Sequence, residues 1–128
     1  MSYDLFMKPE SGEFTADAFK TYFSGRNNYK LQGVQAWYEN EDTGVYFLFE
    51  FQGAADAEEG EESYPVAFNM NYFRPSYFVH EAEPEVTAFI NHFSMVVSDP
   101  QFEGMGKGSY QAEKFREGWN RGNIPGGL

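Results

Sequence analysis

From Leu31 the apolar pattern changes to a period of two that runs, on either side of one polar stretch, to Phe51, and this period constrains the fold more than any other feature of the chain. Val34, Ala36 and Tyr38 alternate with Gln35 and Trp37. After the polar stretch Asn40-Glu41-Asp42-Thr43-Gly44 the alternation resumes, with Val45, Phe47, Phe49 and Phe51 on one face and Tyr46, Leu48 and Glu50 on the other. Two period-two runs joined by a short polar loop containing glycine predict an antiparallel hairpin.

The rest of the chain reads as strands and helices that complete such a sheet. Ser2 to Met7 alternates and predicts a first strand. Thr15 is an N-cap residue with Asp17 in the first turn; Phe14 is placed to staple onto Phe19, and the helix buries Phe19, Tyr22 and Phe23 before stopping near Gly25. Gln52 to Ser63, small, acidic and glycine-containing, predicts a mobile loop. Tyr64 to Tyr72 returns to alternation, with Val66, Phe68 and Met70 facing one way and Pro65 at the strand start or on an edge. Ser76 to Val79 suggests another short strand. Pro84 suits the first position of a helix whose stripe is Val86, Phe89, Ile90 and Phe93. Met95-Val96-Val97 fits either an extension of that helix or a strand. Gln101 to Gly108 reads as loop, and Ser109 caps a last helix carrying Tyr110, Phe115 and Trp119 that ends near Gly122.

This order implies an α+β fold: an antiparallel sheet of about four to six strands with two or three helices packed mainly on one face. A chain of 128 residues fits one domain, here residues 1–123, with 124–128 a flexible tail. The glycine-rich finish also suits an N-terminal fragment of a longer protein. A domain of this size needs no disulfide or metal to fold.

Charge and composition then exclude several classes of function. The formal net charge is −11, from 20 Asp+Glu against 9 Lys+Arg, which argues against binding nucleic acid or an anionic membrane. The chain has no cysteine, which removes thiol catalysis, disulfides and cysteinyl metal sites. Met1 to Lys20 is too charged for a signal peptide, and the expected location is the cytoplasm. No basic residue lies between Lys30 and Arg74, an interval holding Glu39, Glu41, Asp42, Glu50, Asp56, Glu58, Glu59, Glu61 and Glu62. Glu81, Glu83 and Glu85 follow. Such a run is either a solvated face or a lure for a basic partner.

The familiar catalytic and metal motifs fail on inspection. His80-Glu81-Ala82-Glu83-Pro84 begins like a zincin, but Pro84 stands where the second histidine should be, and His92 is a helical residue pointing elsewhere. Glu39 to Glu50 mimics a calcium loop, with Gly44 at position six, yet it starts with Glu and is flanked by strands. Gly104-Met105-Gly106-Lys107-Gly108-Ser109 departs from the phosphate-loop pattern on both sides of its lysine. There is no Gly-x-Ser-x-Gly elbow. Carboxylate pairs are too numerous to select one, although Glu50 beside Tyr46 and Tyr72 is a conceivable small-enzyme site. The expectation is a non-catalytic chain, with no catalytic residue, metal or cofactor.

Tyr38-Glu39-Asn40-Glu41-Asp42-Thr43-Gly44-Val45-Tyr46-Phe47, Asp99-Pro100-Gln101 and Gly118-Trp119-Asn120 together resemble small acidic bacterial immunity proteins encoded beside polymorphic or secreted toxins. The resemblance implies a non-catalytic antitoxin that binds a basic toxin or effector domain and occludes its cleft, as a monomer or weak dimer. The expected surface combines Glu39, Glu41 and Asp42 at the hairpin tip with Asp56, Glu58, Glu59, Glu61 and Glu62 in the following loop. Trp37, Tyr38 and Tyr46 are its expected aromatic anchors. Two alternatives stand beside this one: a small-molecule-binding domain or small enzyme with an aromatic pocket on the sheet, and a regulatory or adaptor domain of a longer chain.

Overall fold

The period-two segments all join one sheet. The computed structural model describes residues 2–52, 64–71, 77–99, 106–108 and 110–122. Its elements are β1 (Ser2–Pro9), α1 (Ala16–Ser24), β2 (Tyr29–Gln32), β3 (Gln35–Glu39), β4 (Tyr46–Phe51), β5 (Val66–Asn71), α2 (Tyr77–Phe93), β6 (Met95–Asp99), β7 (Gly106–Gly108) and α3 (Ala112–Gly122). The strand order is β2-β3-β4-β5-β1-β6-β7, and every neighbouring pair is antiparallel. The fold is therefore α+β, with six strands forming an antiparallel sheet, a three-residue β7 extending one edge, and three helices.

Register puts the apolar alternates on one face. Leu31, Ala36, Phe49, Phe68 and Leu5 lie opposite one another in a row across β2 to β1, and Tyr29, Tyr38 and Phe47 form a second row beside them. The helices cover this face. Phe23 of α1 packs on Tyr29 at 4.7 Å and Phe49 at 5.1 Å between ring centroids. Phe89 of α2 lies 5.2 Å from Phe49 and 5.6 Å from Phe23, and Phe115 of α3 lies 5.5 Å from both Tyr3 and Phe68. The core of this domain is thus largely aromatic, as burial of Phe19, Phe23, Phe47, Phe49, Phe68, Phe89 and Phe115 confirms.

Local rules account for the ends of α1. Thr15 is extended, and its Oγ1 accepts from the Ala18 amide at 3.1 Å, satisfying a donor the helix cannot. Gly25 caps the far end. Phe14 packs its ring on Phe51, Phe89 and Phe93, tying the helix entry to the sheet and α2 instead of stapling onto Phe19.

Three expectations are corrected and one open alternative is resolved. Val34 is not a strand residue: Gly33 and Val34 form a two-residue turn between β2 and β3, with Gly33 at φ 59° as a type II′ hairpin requires at its first loop position. The helix containing Pro84 begins at Tyr77, so Ser76 to Val79 supplies no described strand and Pro84 is interior. Pro84 is tolerated because it and His80, whose carbonyl it leaves without an amide partner, are both exposed to water. Met95 to Asp99 is strand β6, entered through Ser94 at φ 52°, a left-handed residue that ends α2. Gly106 to Gly108, expected as loop, pairs with β6. Ser76, residues 101–105, Ser109 and the expected tail lie outside the described residues.

Gly118 offers a test of this packing. An added Cβ would sit 2.9 Å from Tyr3 Oη and 3.1 Å from Tyr3 Cε2, and Tyr3 is fully buried beneath α3. Helix propensity alone favours Gly118→Ala by about 1 kcal/mol. Overpacking should win, and urea denaturation should show a net loss of about 1–3 kcal/mol.

Candidate functional site

The β3–β4 hairpin ends in a tip that is ordered by its own bonds. Asn40 N donates to Val45 O (3.0 Å), and Gly44 N, at φ 77°, donates to Asn40 O (2.7 Å). The Asp42 amide donates to Asn40 Oδ1 at 3.0 Å, an Asx turn. Glu39, Glu41 and Asp42 are exposed around this frame.

Glu81 on α2 fastens the tip to the body. Its Oε2 accepts from Tyr38 Oη (2.6 Å), Asn40 Nδ2 (3.1 Å) and Thr43 Oγ1 (3.2 Å). Tyr77 Oη adds a bond to Thr43 O at 3.0 Å. Burial, and then the bond to the Glu81 carboxylate, push the Tyr38 hydroxyl up to about 12. Tyr38 is only 5% exposed and stacks on Phe47 at 4.3 Å, so it is a core residue and not a surface anchor. Its position on the helix-packed face of β3 decides this, because successive strand residues point to opposite faces.

The other two acids of α2 are also consumed internally. Glu85 accepts from Arg26 Nη2 at 3.1 Å, and the same guanidinium lies 5.0 Å from the Tyr22 ring. Burial raises the Tyr29 hydroxyl, and the nearby Glu85 carboxylate raises it further. Glu83 pairs with Arg116 and accepts from Thr87 Oγ1 at 2.9 Å. Tyr110, whose hydroxyl is 3.2 Å from Thr87 Oγ1, is likewise raised, chiefly by burial.

The outer face of the sheet carries the alternate residues, all half-buried or exposed. Lys30, Trp37, Leu48, Asn69 and Asp4 form one row across it, and Gln35, Glu50, Ala67 and Phe6 the next. Trp37 is 39% exposed, and its Nε1 donates to Gln35 Oε1 at 3.2 Å. Gln35 Nε2 in turn donates to Glu50 Oε2 at 2.8 Å. A groove of about 520 Å³ opens beside the indole, with Lys30, Glu39 and Tyr46 among its lining. Tyr46 is half-buried; its hydroxyl accepts from Asn71 Nδ2 at 3.2 Å and its ring touches Phe78.

The hairpin therefore brings together Trp37, Glu39, Glu41, Asp42 and Tyr46 and turns Tyr38 inward. Asp56, Glu58, Glu59, Glu61, Glu62 and Tyr72 lie outside the described residues. Gln35 escaped the sequence reading, yet closing the loop at Asn40 and Val45 sets it opposite Glu50, so its role was available from register. Glu81 carried no such signal, because its partners are 38 to 43 residues away. His80 and His92 are exposed at opposite ends of α2, and no cluster of three or more metal-ligating side chains occurs among the described residues. Among those residues no helix is long and apolar enough to cross a membrane. No protein-family model, curated protein or solved structure matches the chain.

Removing the Glu81 carboxylate should loosen the tip. Glu81→Ala leaves the buried Tyr38 hydroxyl without its acceptor and should cost about 1–3 kcal/mol in urea unfolding, with faster amide exchange at Asn40 to Val45. Glu81→Gln keeps an accepting oxygen and should lose less.

A pH dependence follows from the raised tyrosines. Unfolded, they lose their protons near the ordinary value of 10.0, while folded Tyr38 holds its proton to about 12. Their stabilisation is complete below about pH 10 and disappears as pH rises through the folded values. Each should cost up to about 1.4 kcal/mol per pH unit in that window. Urea midpoints should be flat near neutrality and fall steeply above about pH 10, with tyrosinate absorbance appearing as the chain unfolds.

Proposed function

We propose that the chain is a non-catalytic protein-binding domain that neutralises a basic partner, in the manner of an immunity protein covering the active-site cleft of a toxin or effector domain. One observation carries the reading. The ion pairs between described side chains, Arg26–Glu85 and Arg116–Glu83, use the acids of α2. Glu39, Glu41, Asp42 and Glu50 have no basic partner among the described residues. Acids left uncompensated on a rigid tip favour a cationic surface, and their field steers encounter toward ~10⁸–10⁹ M⁻¹s⁻¹ at low salt. A standard interface buries roughly 1,600 Å² in all, within the reach of a domain this size.

The groove beside Trp37 favours a second reading, a small-molecule-binding domain with an aromatic wall. Affinity capture from the source cell at low and high salt separates the two. A salt-sensitive protein partner supports the first, and its absence together with a tight small ligand supports the second.

Charge reversal tests the acidic surface directly. Glu39→Lys, Glu41→Lys and Asp42→Lys combined, or Glu58, Glu59, Glu61 and Glu62 changed to lysine, should leave unfolding within about 1 kcal/mol of wild type. Association with the captured partner should slow by about tenfold or more at low salt, with less effect at high salt. An unchanged association rate in both variants would defeat the proposal.

A further inference from the structure

We infer that Trp37 is the anchor of the docking surface and that its indole takes an arginine side chain of the partner. This rests on the reading of a basic protein partner. Trp37 is a large apolar group left 39% exposed on the outer face of the sheet, and its one polar atom is already bonded to Gln35. What remains for a ligand is the ring itself. The relay from Trp37 through Gln35 to Glu50 holds the indole in one orientation, so little side-chain freedom is lost when something stacks on it.

The surroundings select a cation. Glu39 follows two residues along β3, about 7 Å away, on the same face. Glu50 gives Oε2 to Gln35 and has no basic partner among the described residues. The indole thus lies between two carboxylates. A planar guanidinium meets both demands: it stacks on the ring and donates in its own plane to acids at the ring's edges. A lysine ammonium meets only one at a time. Lys30, the cross-strand neighbour of Trp37, lines the groove with Glu39 and opposes an incoming cation, while Glu50 lies in the next row of the same face, opposite Gln35. An anionic ligand would face these two carboxylates and the formal charge of −11.

The test titrates the full chain with a short oligoarginine peptide and an oligolysine peptide of equal length, at low and high salt. Trp119 is buried, so a change in solvent-exposed tryptophan emission reports Trp37. Wild type should bind oligoarginine about fivefold or more tighter than oligolysine, with Trp37 emission moving to shorter wavelength. Trp37→Ala should weaken oligoarginine about tenfold and oligolysine much less, Trp37→Phe should fall between, and Lys30→Ala should tighten both. Equal oligoarginine affinity in wild type and Trp37→Ala, with binding lost in Glu41→Lys/Asp42→Lys, overturns the anchor but spares the acidic-surface reading. Failure of the wild type to bind either peptide in a salt-sensitive way overturns both.

Discussion

Helix α2 is joined to each of its neighbours by a different carboxylate. Glu81 holds the hairpin tip, Glu85 holds Arg26 just beyond α1, and Glu83 holds Arg116 of α3. A helix turns about 100° per residue, so Glu81 and Glu85 fall on one flank of the helix and Glu83 on the other. Phe78, Val79, Ala82, Val86, Phe89 and Ile90 occupy the stripe between the flanks and are buried, while His80, Pro84 and Asn91 point to solvent. Magnitudes divide the labour. Burying one Phe contributes about 1.5–3 kcal/mol, and a part-buried polar contact about 1. Stability accordingly comes from the aromatic layer around Phe89, and orientation comes from the three glutamates.

That division has an electrostatic consequence. Two of the 9 basic residues, Arg26 and Arg116, are committed to α2. Both pair with acids that follow the long interval without countercharge, so the described acids within it keep their field. The three acids of α2 and the acids of the tip look alike in a list of charges. In space the first group is structural cement and the second is surface.

How far this was legible depends on the range of the interaction concerned. The hairpin, the Thr15 cap, the one-sided alternation of Val66, Phe68 and Met70, and a last helix carrying Phe115 and Trp119 all follow from local period or local capping, and the sequence alone supports them. The start of α2 differs from the expectation because Pro84 fits a first helical position and an exposed interior one equally well. Separating β2 from β3 required noticing that Gly33 could turn the chain in two residues. The expectation of Tyr38 as an anchor passes over its own alternation with Trp37, which sets it inward, and its buried hydroxyl is accommodated by the distant Glu81. The fate of Glu81, Glu83 and Glu85 could not be read, since each partner comes from another part of the fold.

Under the proposed function, an exposed acidic tip would select its partner mainly through what it denies to others. In water, neighbouring carboxylates such as Glu41 and Asp42 repel by about 1 kcal/mol or less, and salt reduces that further, so the free domain tolerates them. Covering them with a surface that lacks cations would strip their hydration without compensation, at a cost several times larger. A yielding loop could swing its acids away from such a surface. This tip has little freedom to do so, because Asn40, Thr43 and Gly44 are bonded internally and Glu81 ties Asn40 and Thr43 to α2. Rigidity would therefore turn ordinary surface charge into discrimination: any surface that covers this tip must bring positive groups to fixed places, or the contact is unfavourable.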